Sequence, residues 1–267
     1  MSTRKRSIDI SPGVGIAGAA AIFILTQVLG GGSIGSLWQP TAALVVFGGT
    51  FVAVSISFPS SELRLTFRAL RRVFSAKAQP IEPVLERLFE YSRLSRRRGL
   101  LVLETEIDRA PSTFIRAALA LAVDGTNPLT TRQILEVEHH ARLDADERPA
   151  EILEVAAGYA PTLGILGAVL GLIHTMQSLT EPSRLGPGIA VAFVATVYGV
   201  GVANLVLLPL ATRLRGLARH SALEREIIIE GMVALQEGLN PRLLEQKLYG
   251  YLSPSTPRVR QIGRAHV

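Results

Sequence analysis

The stretch Ala160–Met176, APTLGILGAVLGLIHTM, decides how the rest of the chain is read. It holds no Asp, Glu, Lys or Arg, and small residues recur in it at helical steps: Ala160, Gly164, Gly167, Ala168 and Gly171. A bilayer core of about 30 Å takes roughly 20 apolar residues as a helix. Four stretches meet that length, near Gly13–Gly30, Pro40–Phe58, Ile152–Leu179 and Pro187–Leu210. No alternating pattern of short strands is present, so helices must satisfy the backbone polar groups in lipid. Composition agrees, with 267 residues, 48% hydrophobic residues and a mean hydropathy of +0.32. Cysteine is absent, which excludes disulfides and thiolate metal sites.

Direction follows from the basic residues. Arg4, Lys5 and Arg6 precede the first span; Arg64, Arg68, Arg71, Arg72 and Lys77 follow the second; Arg213, Arg215 and Arg219 follow the fourth. The connections between spans one and two, and between three and four, hold almost no charge. Both termini and the long central segment are therefore expected on the cytoplasmic side of the membrane. The net charge of +6 is spread over these flanks, with no aromatic platform, so nucleic-acid binding is not expected. The expected division is a cytoplasmic start at 1–12, a transmembrane hairpin at 13–58, a helical cytoplasmic domain at 59–151, spans three and four at 152–210, and cytoplasmic helices at 211–260. The last residues, 261–267, read QIGRAHV and resemble a translated sequencing adapter, so the native C-terminus is expected to differ. The fold class expected is an all-α membrane protein. It has four transmembrane helices and a helical cytoplasmic domain built from the span 2–3 segment and the C-terminal tail.

The cytoplasmic segments show helical punctuation. Ile81, Leu85, Leu88 and Leu94 recur at helical spacing before a basic run and Gly99. A helix opening at Pro111 should stop at Gly125. The segment after Thr130 should run into span three with a bend near Pro149, and the helix after span four should end at Gly238. His139 and His140 are adjacent and point about 100° apart on a helix, which excludes an i,i+4 metal pair. Both are expected to be solvated. No nucleophile–base arrangement, phosphate loop or metal-ligand spacing stands out, so no enzyme, cofactor or metal site is expected.

An intramembrane acid usually marks an ion pathway. Spans one, two and four contain no ionisable side chain of that kind, and in span three Glu151 and Glu154 stand at one edge and His174 near the other. Small residues are what the spans offer instead: Gly164, Ala168 and Gly171 on span three; Ala192, Thr196, Gly199 and Ala203 on span four. Such faces allow close helix approach. They serve either the packing of spans three and four on each other or on neighbouring copies, or the seating of a foreign helix that brings the missing acid.

Several stretches together resemble the MotA/PomA stator subunits of the bacterial flagellar motor, within the wider MotA/TolQ/ExbB proton-channel superfamily. They are VLGGGSIGSLWQPTAALVVFGGT (28–50), RRRGLLVLE (96–104), APTLGILGAVLGL (160–172), LGPGIAVAFVATVYGVGVANLVLLPLATRL (185–214) and IIEGMVALQEGLNPRLLEQKL (228–248). The resemblance implies a pentamer around a dimer of a MotB-like partner. That partner has one span with an aspartate and a peptidoglycan-binding domain. The resemblance also implies torque on a rotor switch protein of the FliG type. By position it implies that Arg96 and Glu104, with Arg97 and Arg98, face the rotor, and that Pro161 and Pro209 are conformational prolines. Thr196 would line the ion pathway, with Ala168, Ala195, Gly164, Gly171 and Gly199 forming its wall. Sodium-driven relatives carry threonine at the positions of Ala168 and Ala195. Two alanines remove two oxygens that a sodium ion would need, so H+ is the expected coupling ion and Na+ the less favoured one. The alternatives are an ExbB/TolQ-type proton-channel subunit, which usually lacks the initial hairpin, and a membrane scaffold without transport. A solute transporter would show inverted repeats and midplane polar groups, and neither is visible.

Overall fold

The computed structural model describes residues 11–74, 80–177 and 182–252. The basic cluster at Arg4–Arg6, Lys77, Glu181 and the 261–267 tail lie outside them. Ten α-helices are found in order among the described residues, with 40–57 counted as one: α1 Ser11–Leu29, α2 over 40–57, α3 Ser60–Val73, α4 Glu82–Arg98, α5 Glu104–Ile107, α6 Thr113–Val123, α7 Pro128–Met176, α8 Pro182–Val202, α9 Leu208–Gln236 and α10 Pro241–Tyr249. Four helical stretches are long and apolar enough to cross a membrane: Ser11–Leu29, Ile34–Ser57, and parts of Pro128–Met176 and Gly188–Gln236. The chain divides into two compact units, residues 1–77 with 145–218, and 78–144 with 219–267.

In the second unit, the expected apolar stripe of α4 is what packs. Ile81, Leu85 and Leu88 are buried, and Leu94 is partly so. They meet Ile115 and Leu119 of α6, Leu135 of α7, Ile227, Ile228 and Met232 of α9, and Leu244 and Leu248 of α10. Gly231 of α9 admits Leu88, since a methyl there would lie 2.8 Å from Leu88 Cδ1. Helix α6 is capped by Ser112, whose hydroxyl accepts from the Ile115 amide, one residue past Pro111. The stops fall at Gly99 and Gly238, with φ of 82° and 70°, the left-handed conformation that suits glycine. Charge pairs tie the helices together, with Glu230 accepting from Arg132 and lying 2.6 Å from Lys247. The Arg132 hydrogen bond holds the Glu230 carboxyl below its ordinary value.

In the first unit, serine and threonine hydroxyls bond back to carbonyls of their own helix, as for Thr26, Thr50, Ser55, Ser57, Thr66, Thr175 and Thr212. For those within the spans, that lowers the cost of the hydroxyl in lipid. Two wide π turns interrupt the spans, at Leu44–Gly48 inside α2 and at Ala203–Leu207 before α9. The second stands just ahead of Pro209, which has no N–H to close onto Leu205. The bend expected near Pro149 is not a break. Helix α7 runs unbroken through Pro149 and Pro161, because a long helix can absorb the loss of single hydrogen bonds when neighbours pack on it.

One sequence expectation is corrected. His139 is buried at 5% exposure, whereas His140 is exposed. The surrounding groups are Glu136 and His140 of α7, Arg225 and Glu226 of α9, and Tyr251. Adjacent residues on a helix point to different faces, and here the core face claims His139. Burial, reinforced by Arg225, lowers its pKa from the ordinary 6.5. The folded chain therefore favours neutral His139, and the stability this contributes is full above about pH 6.5 and declines as pH falls below it. Thermal unfolding between about pH 7.5 and pH 5 should show this slope, at most about 1.4 kcal/mol per pH unit, and His139→Leu should flatten it. An unchanged slope in the variant would remove His139 as its source.

Candidate functional site

The small-residue faces meet inside the chain. A methyl built on Gly164 of α7 would lie 2.9 Å from the Ala195 carbonyl oxygen, and 3.3 and 3.4 Å from the Cα atoms of Gly199 and Thr196. On Gly199 of α8 it would lie 2.5 Å from the Ala160 oxygen and 3.1 Å from the Cα atoms of Gly164 and Pro161. On Gly171 it would lie 3.2 Å from Ala192 Cα. The two helices thus touch backbone to backbone, which only glycine permits. Packing of spans three and four on each other, one of the uses that the sequence left open for these glycines, is present.

The other candidates lie around this seam. Ala195 is fully buried in a cluster with Ala42, Val46 and Val194, and a methyl built on Gly167 would lie 3.0 Å from its Cβ. Ala168 and Thr196 are half-buried at the flank of the seam. The Thr196 hydroxyl makes no hydrogen bond among the described residues, in contrast to the back-bonded threonines above. Pro161 touches the seam through its Cα. Tyr198 fastens α8 to the entry of α2: its hydroxyl donates to the Leu37 carbonyl, and its ring stacks on Phe47 at 5.6 Å. A cleft of about 440 Å³ opens beside Gly167 and Gly171, with Thr41 and His174 on its lining.

Two ion-pair groups at the span ends were not anticipated as pairs. Arg215 of α9 grips Glu154 of α7 with two nitrogens at 2.5 and 2.7 Å. Arg148 of α7 reaches Glu62 of α3 at 2.8 Å and Glu151 at 2.9 Å, with its guanidinium 5.7 Å over the Phe58 ring. An acid at the start of one span and a basic residue just past another were visible in the sequence, but their registers against each other were not.

In the second unit, the basic run and Glu104 are exposed. Arg96 donates to the Gly238 carbonyl oxygen at 2.8 Å and so caps the end of α9. Arg97, Arg98 and Glu104 make no ion pair among the described residues. No group of three or more His, Asp or Glu side chains converges on a common point among the described residues. Among the described residues, the arrangement provides close helix packing and, at its flank, the half-buried Thr196 hydroxyl without a hydrogen-bond partner.

The sequence profile of the MotA/TolQ/ExbB proton channel family matches residues 106–227. Motility protein A of Bacillus subtilis (strain 168) is 36% identical over 248 residues, covering 92% of this chain and 92% of that protein. The flagellar MotAB stator complex from Bacillus subtilis has a chain that superposes with a TM-score of 0.85 at 36% identity, covering 92% of this chain and 96% of that one. A chain of the C. jejuni MotAB structure gives 0.89 at 27% identity, covering 96% and 100%.

The seam generates a prediction. Gly199→Ala forces a methyl against the Ala160 oxygen and should destabilise the purified membrane protein by about 1–3 kcal/mol, seen as a lower unfolding temperature. Gly158→Ala, with nothing within 4 Å of the added methyl, should be neutral or better. Equal effects of the two substitutions would contradict the seam.

Proposed function

Since this chain belongs to the MotA/TolQ/ExbB proton channel family, as a stator subunit of the MotA/PomA type, we propose that it builds the wall of a proton pathway whose acid is supplied by a MotB-like partner. The observation that carries this reading is the contrast on α8: Gly199 is locked into the seam, while the neighbouring Thr196 keeps a half-buried hydroxyl with no partner among the described residues. A carboxylate on a helix that passes this flank would find there one hydrogen-bonding group in otherwise apolar surroundings. Such a hydroxyl can order water or donate to the carboxylate without holding it permanently. Ala168, on the same flank of the seam, leaves the passing helix little to catch on.

The working assembly is a pentamer of this chain around a partner dimer. Residues 13–58 and 152–210 lie in the inner membrane, and 59–151 and 211–260 lie in the cytoplasm with both termini. The distribution of Lys and Arg supports that orientation. Arg97, Arg98 and Glu104 form the exposed charged face offered to a FliG-type rotor protein, with Arg96 positioned by its bond to the Gly238 oxygen. Proton flow alternately neutralises and restores the partner carboxylate, and the contact at Thr196 changes with it. Pro161, at the seam, and Pro209, beside the π turn, are the points where α7 and α9 lack a backbone hydrogen bond and can yield. The initial hairpin of α1 and α2 and the 92% coverage of motility protein A favour this reading over an ExbB/TolQ-type subunit.

Proton coupling rests on oxygen supply. A sodium ion must replace most of its water with ligand oxygens, whereas a proton needs one carboxylate and ordered water. Ala168 and Ala195 supply no side-chain oxygen, and Ala195 is buried against Gly167. Cells or vesicles driven by this stator should keep their rotation or current in sodium-free medium. Loss there with rescue by added sodium would overturn the proton assignment. Thr196→Leu should abolish torque while membrane insertion and partner binding persist, and normal motility in that variant would remove Thr196 from the pathway.

A further inference from the structure

An apolar cleft of about 250 Å³ lies in the first unit, between α2, α3, α7 and the π turn that follows α8. Phe51, Val54, Phe67, Leu70, Ile152 and Leu207 line it. Its few polar side chains are already satisfied: Thr50 donates to Val46 O at 2.6 Å, Ser55 to Phe51 O at 2.7 Å and Thr66 to Glu62 O at 2.9 Å. The cleft thus offers a polar ligand little and a hydrocarbon chain an apolar wall. Its rim is different. Helix α3 begins just after the second span and alternates cleft residues with arginines: Leu63 and Arg64, Phe67 and Arg68, Leu70 and Arg71, then Arg72. Arg64, Arg68, Arg71 and Arg72 are exposed and fall within one face of the helix at i, i+4, i+7 and i+8. Its one acid, Glu62, lies off that face and pairs with Arg148 at 2.8 Å. Phe67, at 60% exposure, stands between the arginine face and the cleft.

A basic amphipathic helix at a span end, beside a hydrocarbon slot, has the chemistry of a lipid site. The slot takes an acyl chain and the arginines take the phosphate. We propose that this cleft binds one anionic phospholipid, with an acyl chain between α2 and α7 and its headgroup on the arginine face of α3. The bound lipid fills the space between α3 and the spans, so it fixes the angle at which α3 leaves the membrane.

The test uses the stator complex of this chain with its partner, reconstituted in vesicles of phosphatidylcholine with or without phosphatidylglycerol, then re-extracted for lipid analysis by mass spectrometry. Phosphatidylglycerol should be retained in preference to phosphatidylcholine and should raise the unfolding temperature. The triple variant R64Q/R68Q/R71Q should lower retained phosphatidylglycerol by roughly tenfold or more, at unchanged phosphatidylcholine. Ser55→Phe, which fills the cleft from an exposed position without touching the arginines, should exclude the lipid while the complex stays assembled. Equal retention of both lipids, or full retention in the triple variant, would overturn the proposal. So would a Ser55→Phe complex that falls apart with its lipid still bound, since the cleft would then be a contact between copies.

Discussion

The contact of α7 and α8 through glycine is the constraint on which the membrane part rests. Where Gly164 faces the Ala195 oxygen and Gly199 faces the Ala160 oxygen, no side chain fits between the backbones. In lipid there is no hydrophobic drive for helices to associate, so close backbone approach is a principal source of affinity between spans. The seam also sets what remains for the outside. It uses up Gly164, Gly171 and Gly199, buries Ala195, and leaves Thr196 and Ala168 at its flank. The rotational setting of α8 is held further by Tyr198, anchored to Leu37 and stacked on Phe47. A pathway wall of this kind depends on the seam because a small rotation of α8 would turn Thr196 into it.

Much of this was legible in the sequence, for identifiable reasons. Span length is dictated by the bilayer, and helix ends by the special conformations of glycine and proline, so the four spans and the stops at Gly99 and Gly238 follow from local rules. The core face of α4 follows from the spacing of Ile81, Leu85 and Leu88. What local rules cannot supply is which distant face a residue meets. Small residues at three- and four-residue steps mark a helix contact but do not identify the partner helix. His139 and His140 carry equal local signals, and only the packing of α7 on α9 separates them, one buried and one exposed. The Arg215–Glu154 pair joins residues 61 positions apart, and its two-nitrogen geometry depends on the registers of α7 and α9. Arg96 likewise reads as part of a charged surface, yet its bond to Gly238 also closes a helix end.

The chain has the features of one half of a machine. It offers apolar walls, a half-buried hydroxyl, and charged groups gathered at the span ends, where Arg215 pairs with Glu154 and Arg148 with Glu62 and Glu151. A midplane carboxylate in this chain would be held in place by the seam. A carboxylate on a separate helix can approach, change protonation and leave, which is what coupling of ion flow to movement requires. Division of the pathway between two chains thus follows from the same packing that makes the wall rigid.

Proton flux into vesicles tests this division most directly. This chain reconstituted alone should pass protons no faster than protein-free vesicles, and the complex with its single-span partner should conduct only while the partner's membrane carboxylate is present. Efficient proton flux through the chain by itself would contradict the account.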